Sequence, residues 1–303
     1  MKKVLSLLLA ISMIISATLG VSAEELDGLK NDNIDYETEI NIIEQQNNKI
    51  MNQKLKSYKY EYDKKLKKLN KSKFEDLSKS QKEEINNIKQ KYVDQAVDEI
   101  DKRMKSLGFE EVLNESDEIQ TFKDNPSDLI LTDKLYFNDS KKQYNFVGYW
   151  NFNSWDALTS TLDIASVRMN NSSYPIVSSY AYSYDQAGKS TGTDSDGTQS
   201  SGSYITKRFE NKYGVAYNVK DTWVSLASSG IYKTDSGRVS LWFKKGSGRN
   251  KVFFDFHHNY KTASVQLNAT LSGVKLTDSS LSVSYSRTSR NYQRTSTGKS
   301  ISS

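Results

Sequence analysis

The chain has 303 residues, 36% of them hydrophobic and 26% charged, and its mean hydropathy is -0.69, so it is long enough for two domains and too polar for a polytopic membrane protein. With no Cys it can hold no disulfide scaffold, thiol nucleophile or Cys-ligated metal, and two His residues argue against a multi-histidine centre. No cofactor and no metal are expected.

Met1, Lys2 and Lys3 open the chain with positive charge, residues 4–19 are almost unbroken apolar sequence, and Val21-Ser22-Ala23 offers the small residues a signal peptidase reads. Residues 1–23 are therefore predicted to be a secretory signal peptide; the apolar run falls short of the roughly 20 residues a spanning helix needs. No later stretch approaches that length, and the C-terminus shows neither an apolar tail nor a sorting motif. The mature chain is expected to be secreted and extracellular, with any retention at the cell surface non-covalent. Its charge is uneven: residues 24–110 are net -1, residues 111–129 net -5 and residues 130–303 net +9. A cationic part outside the cell is biased toward polyanions.

Residues 24–108 read as a helical, coiled-coil-like region. Ile40, Ile43, Met51, Leu55, Tyr58, Tyr62, Leu66 and Leu69 form one stripe at steps of three and four, with Asn47 in its gap; Ile85, Ile88, Tyr92, Ala96, Ile100, Met104 and Leu107 form a second. Two long helices are predicted, over 34–71 and 80–107, joined by a bend at 72–79. Ser80 and Glu83 resemble a capping box, and Gly108 stands where a helix end favours positive φ. Such narrow seams need a partner, within an antiparallel hairpin or, by self-association, in a stalk between chains. Lys64, Lys65, Lys67, Lys68, Lys71 and Lys73 read as a solvated helix face.

Residues 109–134 are acidic, contain Pro126 and lose periodicity, which marks a linker between separable halves. Beyond it, over 135–303, the period becomes two. Tyr213, Val215, Tyr217 and Val219 alternate with polar or small residues, as do Val265, Leu267, Ala269 and Leu271, and Leu281, Val283 and Tyr285. Turn signals fall at Asp235-Ser236-Gly237, Gly246-Ser247-Gly248 and Asp278-Ser279. Residues 154–169 suit a strand or a short helix. The fold class expected is segregated α+β: a long-helix hairpin or coiled-coil stalk, then an antiparallel all-β sandwich-like domain with a basic tail.

Trp242 is out of phase with Val239, Leu241 and Phe243, which places its ring on the opposite face, where it either is exposed and could stack on a sugar or base or covers the second face of a sandwich. Tyr180, Tyr182 and Tyr184 share one face of a strand. Arg287, Arg290, Arg294 and Lys299, with Tyr285 and Tyr292 among them, suit contacts to an anionic polymer. These eight residues, Trp242, the three tyrosines and the four C-terminal bases, are the candidate ligand-binding set, and the partner expected is an anionic cell-surface polymer or glycan. Asp194-Ser195-Asp196-Gly197, in a polar loop over 185–203, starts like a calcium loop but lacks the closing carboxylate, since Ile205 stands at the twelfth position. Asp255 and His257 share a strand face and could form an acid-base pair near a sheet edge, but no nucleophile motif accompanies them. Asn268-Ala269-Thr270 fits a glycosylation acceptor, which is set aside because the composition has an AT-rich, bacterial flavour.

The sequence favours a secreted, non-enzymatic binding or adhesion protein. Its alternatives are a membrane-active toxin or bacteriocin-like protein, with residues 174–184 as the inserting segment, and an exported hydrolase.

Overall fold

A computed structural model describes residues 36–71, 76–113, 120–122, 129–152, 162–185, 204–220, 222–226, 229–259, 268–271, 281–284, 291–296 and 298–301, with only the backbone for 120–122, 222–226, 229–233, 259, 268–271, 281–284 and 291–294. The predicted signal peptide, the loop over 186–203 with its calcium-like start, and the turn at Asp278-Ser279 lie outside these residues. The chain divides between Ile43 and Glu44 into two units, and the packing described below is that of residues 44–303.

Two helices, α1 (Tyr36–Lys68) and α2 (Lys79–Ser106), match the predicted ones closely. Glu37 and Glu39 at the start of α1 and Lys65, Lys67 and Lys68 at its end complement the helix dipole. The cap of α2 is Ser78, two residues before the predicted Ser80. Its Oγ accepts from Gln81 N at 3.3 Å while Gln81 Oε1 accepts from Ser78 N at 3.0 Å, a reciprocal pair in which glutamine serves where glutamate was sought. At the other end Gly108 has φ +79, which a Cβ would oppose, and Asn138 Nδ2 donates to Leu107 O at 3.1 Å.

The helices form an antiparallel hairpin. Asn47 Nδ2 meets Met104 Sδ at 3.7 Å, Lys54 pairs with Glu99 at 2.6 Å, Tyr92 donates to Glu61 at 2.8 Å, and Lys65 pairs with Glu84. The buried face of α2 is wider than the predicted seam: Lys89, Val93 and Val97 are buried beside Ile85, Ala96, Ile100 and Met104. A narrow seam suffices for one partner, and α2 has two, α1 and a sheet.

The strands in chain order are β1 (Glu110–Glu111), β2 (Gln120–Phe122), β3 (Leu129–Asn138), β4 (Gln143–Phe152), β5 (Leu162–Met169), β6 (Ile176–Tyr184), β7 (Ile205–Asn211) and β8 (Gly214–Lys220). They continue as β9 (Thr222–Leu226), β10 (Ser229–Lys233), β11 (Ser236–Lys244), β12 (Asn250–Asn259), β13 (Asn268–Leu271), β14 (Leu281–Ser284), β15 (Asn291–Thr295) and β16 (Lys299–Ile301). Strands thus begin inside the segment read as a linker, and the ambiguous segment over 154–169 is a strand from Leu162 onward. One sheet has the order β1-β3-β4-β11-β6; the other has β2-β15-β12-β5-β8-β7, with β16 also on β12; every pairing is antiparallel.

The facing sides of the two sheets bury Leu131, Phe146, Trp150, Val167, Ala181, Val215, Tyr217, Val239, Leu241, Phe254 and Phe256. Phe256 lies between Trp150 and Phe152, with ring centroids 5.4 Å and 5.7 Å away. Gly148 allows this close approach, since a Cβ there would stand 2.2 Å from the Phe254 ring. The five-stranded sheet is therefore sandwiched: one face meets the second sheet and the other carries the helical hairpin. From Glu44 onward the helical residues and the strands fall in one compact unit.

Candidate functional site

The alternation along β11 holds: Val239, Leu241 and Phe243 face the second sheet, while Arg238, Ser240 and Trp242 face the hairpin. Trp242 is nevertheless 0% exposed, because the hairpin covers that face, and this corrects the expectation of an open stacking ring. Its Nε1 and Ser240 Oγ each donate to Glu44 Oε1 at 2.7 Å, and Phe109 meets the indole edge-on at 5.5 Å. Tyr180, Tyr182 and Tyr184 do share a face, and it is the same covered one; Tyr184 donates to Asn48 at 2.7 Å and the Arg238 guanidinium lies 4.7 Å from the Tyr182 ring. Tyr174, at the start of the segment considered for membrane insertion, is also buried, but in the core between the sheets, against Tyr144 and Phe243.

Sequence reasoning missed the charges under the hairpin. Arg238 and Glu44, both 0% exposed, pair at 2.7 Å. Burial disfavours the Arg238 cation, but Glu44 and the phenols of Tyr184, Tyr149 and Tyr182 outweigh it and raise its pKa. Lys89 pairs with Asp235, whose carboxyl is nonetheless pushed up by burial. Burial also raises the Tyr184 phenol to about 12, against the opposing pull of Arg238. The available signal was position: Glu44 follows Ile40 by four residues, and Lys89 stands between Ile85 and Val93 at the same step, so each charge sits on an apolar stripe. A cavity of about 20 Å³ beside them, lined by Met51, Gln90, Tyr149, Asn151 and Ser236 among others, has room for a water molecule and not for an organic ligand.

The C-terminal bases scatter. Arg287 and Arg290 lie outside the described residues, and Arg294 is described by its backbone alone, opposite Phe256 of β12. Lys299 is corrected: it is 3% exposed, with Nζ 3.8 Å from Asp133 Oδ1, because β16 adds to β12 instead of leaving the fold as a tail. Asp255 and His257 do not form the expected edge pair. Strand β12 is internal, and Asp255 accepts from Arg168 at 2.5 Å and from Thr295 at 2.6 Å. Burial lowers the pKa of His257 to about 4, with Asp255 opposing and Arg168 adding to that shift. The other imidazole, His258, is bonded to Asp163 at 2.8 Å on the opposite face of β12. Among the described residues no group of three or more His, Cys, Asp or Glu could hold a metal ion. None of their helices is long and apolar enough to cross a membrane, which leaves strands unaddressed.

What the fold brings together is a cationic end of the sandwich. Four connections meet there: residues 139–142, 170–175, 211–213 and 244–251. Lys245 N donates to Lys142 O at 2.7 Å, Lys244 N to Pro175 O at 2.9 Å, Asn170 N to Lys251 O at 3.1 Å and Met169 N to Tyr213 O at 2.6 Å, which ties the four to one another or to the adjoining strand end. Asparagine chemistry fixes the frame. Asn171 Nδ2 donates to Ser247 O and Arg249 O at 2.9 Å and 3.1 Å, Asn250 Oδ1 accepts from Asn171 N at 3.1 Å, and Tyr174 donates to Gly248 O at 2.7 Å. These connections carry seven bases, Lys141, Lys142, Lys212, Lys244, Lys245, Arg249 and Lys251, and one acid, Asp139. Asp139 is held by Lys142 at 2.6 Å, whose hydrogen bond lowers its pKa. Lys142, Lys212, Lys244, Lys245 and Arg249 are exposed. The arrangement is a surface on which bases outnumber acids seven to one, the kind of charge imbalance that concentrates polyanions.

No protein family matches the sequence, and no curated protein matches it. Among solved structures it is similar to one described as "pH-induced modulation of Streptococcus parasanguinis adhesion by Fap1 fimbriae", at 7% identity and a TM-score of 0.28, covering 61% of this chain and 90% of that one. It is also similar to one described as a pore forming protein, at 8% identity and a TM-score of 0.27, covering 62% of this chain and 94% of that one. Likenesses of this size carry no argument about fold or function.

Proposed function

We propose that this is a secreted, non-enzymatic binding protein that attaches to an anionic polymer or glycan surface through the cationic end of its β-sandwich. The observation that carries the reading is the gathering of seven bases and one acid on four connections held by backbone hydrogen bonds to one another or to the adjoining strand end, two of them, 170–175 and 244–251, fixed further by Asn171, Asn250 and Tyr174. Backbone-fixed turns present the charges without the ordering cost of a flexible tail, so the Coulomb attraction is kept for the ligand. The polyanion expected from the +9 of the β half thus meets its turns, and the aromatic residues singled out in the sequence serve the helix-sheet interface.

The test is binding of the full chain to heparin and to poly(glycerol phosphate), measured at about 50 and about 200 mM salt, a range over which binding through several charge contacts weakens steeply. Changing Lys142, Lys245 and Arg249 to Gln should weaken binding and lower the dependence of log affinity on log salt by about one for each contact removed. Thermal stability should stay within about 0.5 kcal/mol of the parent, because exposed charges contribute little to folding. Binding that ignores salt, or none at the lower salt, would sink the proposal.

A further inference from the structure

The cationic end is more than charge, because three of its lysines lie against aromatic rings. Lys212 Nζ is 5.2 Å from the Tyr213 ring centroid, Lys251 Nζ is 5.2 Å from Phe253, and Lys245 Nζ is 5.9 Å from Phe137. All three rings are partly exposed. Phe137 also packs on the sandwich core, whereas Tyr213 and Phe253 stand beside their lysines as the partly exposed rings of this end. In each pair the ammonium sits on a flexible stem over the ring, a contact worth about 0.5 to 1 kcal/mol at an exposed site. An arriving anion competes for that ammonium. As the lysine swings toward it, the ring is uncovered next to the new charge contact.

A ligand that profits from both events carries, within a few ångströms, an anionic group for the lysine and a C–H-bearing surface for the ring. We infer that the ligand of this face is an anionic polysaccharide, with sulfate or phosphate groups on the lysines and adjoining sugars on Tyr213 and Phe253; this rests on the polyanion reading above. The rings favour a sugar over a nucleobase. Phe137 is stacked on Tyr144 at 4.4 Å and Phe253 lies 4.2 Å from the Arg168 guanidinium, so each has protein against it and neither projects as an open two-sided platform.

The full chain is tested against four probes: heparin, a phosphate-bearing mannan, inorganic polyphosphate, which has charge and no sugar, and single-stranded oligothymidylate. At matched charge the two polysaccharides should bind at least about tenfold more tightly than polyphosphate, and the arm that binds better identifies sulfate or phosphate as the anion. Phe253→Leu, which keeps apolar bulk, and Tyr213→Ser should each weaken polysaccharide binding roughly fivefold with an unchanged salt slope, as loss of a ring contact should. Both should leave polyphosphate binding unchanged, with folding checked by circular dichroism. Equal affinity for polyphosphate, or equal losses on it, would overturn the polysaccharide inference and leave the polyanion reading standing. Tighter binding of oligothymidylate would overturn it in favour of nucleic acid, and failure of every probe to bind would overturn both readings.

Discussion

Glu44→Gln is the most informative single change in the helix-sheet interface. The Glu44 and Arg238 side chains are both 0% exposed and 2.7 Å apart, so the substitution leaves the guanidinium buried without its counterion. Removing one partner of such a pair costs about 3 to 5 kcal/mol. The glutamine Oε1 still accepts from Ser240 Oγ and Trp242 Nε1, the two 2.7 Å bonds that Glu44 receives, so the loss isolates the charge. Glu44→Ala orphans both donors as well, adding about 1 to 3 kcal/mol for each. Arg238→Met should cost as much as Glu44→Gln, and the double variant no more than either alone, because removing both charges relieves the desolvation that an unpaired charge suffers. Urea unfolding followed by far-ultraviolet circular dichroism measures all four. A loss below about 1 kcal/mol for Glu44→Gln, or additive losses in the double variant, would show that the pair is hydrated and does not hold the hairpin on the sheet.

Two further outcomes follow from the sandwich interior. His257 is buried with its pKa lowered to about 4 from an ordinary 6.5, so the unfolded chain takes up a proton that the fold refuses; stability should fall between about pH 6.5 and pH 4, by up to about 3 kcal/mol, and His257→Asn should flatten that slope. A slope unchanged in that variant would place the acid sensitivity elsewhere. Gly148→Ala puts a methyl 2.2 Å from the Phe254 ring and should cost about 2 kcal/mol or more as the sheets are forced apart, a reading that a neutral melting temperature would refute.

The sequence was informative wherever a period ran undisturbed. Two stripes at helical spacing located α1 and α2 to within a few residues, and alternation at Val215, Tyr217 and Val219 found a strand of the sandwich. It was silent on layers. Period two says that Trp242 opposes Leu241; it does not say whether the second face meets water or a helix, and the hairpin decided that. The extra width of the α2 face, Val93 and Val97 beside Ala96 and Ile100, was the written trace of this second contact. The cationic end was illegible for a different reason. Its bases come from four connections separated by up to about a hundred residues, so only the topology assembles them, whereas the C-terminal bases drew attention by standing close together along the chain.

Lys299 separates these two kinds of base. It was a candidate ligand contact, and the fold places it between the sheets: its strand pairs with β12 opposite Val252, and its ammonium reaches Asp133 on β3 at 3.8 Å, with 3% and 8% of the two side chains exposed. At that distance the attraction is partial, and removing the cation should cost about 2 kcal/mol, less than a close pair. For a chain of this size that loss lowers the melting temperature by about 4 °C or more. Lys299→Gln should therefore melt early and bind heparin with an unchanged salt slope. Lys245→Gln should do the reverse, keeping its melting temperature and losing about one from the slope. The pair of variants, read in both assays, distinguishes a charge that holds the sandwich closed from one that meets a ligand. If Lys299→Gln kept its melting temperature and lost slope, Lys299 would belong to the binding surface, and the C-terminal strand would have to leave the sheet for the ligand to reach it.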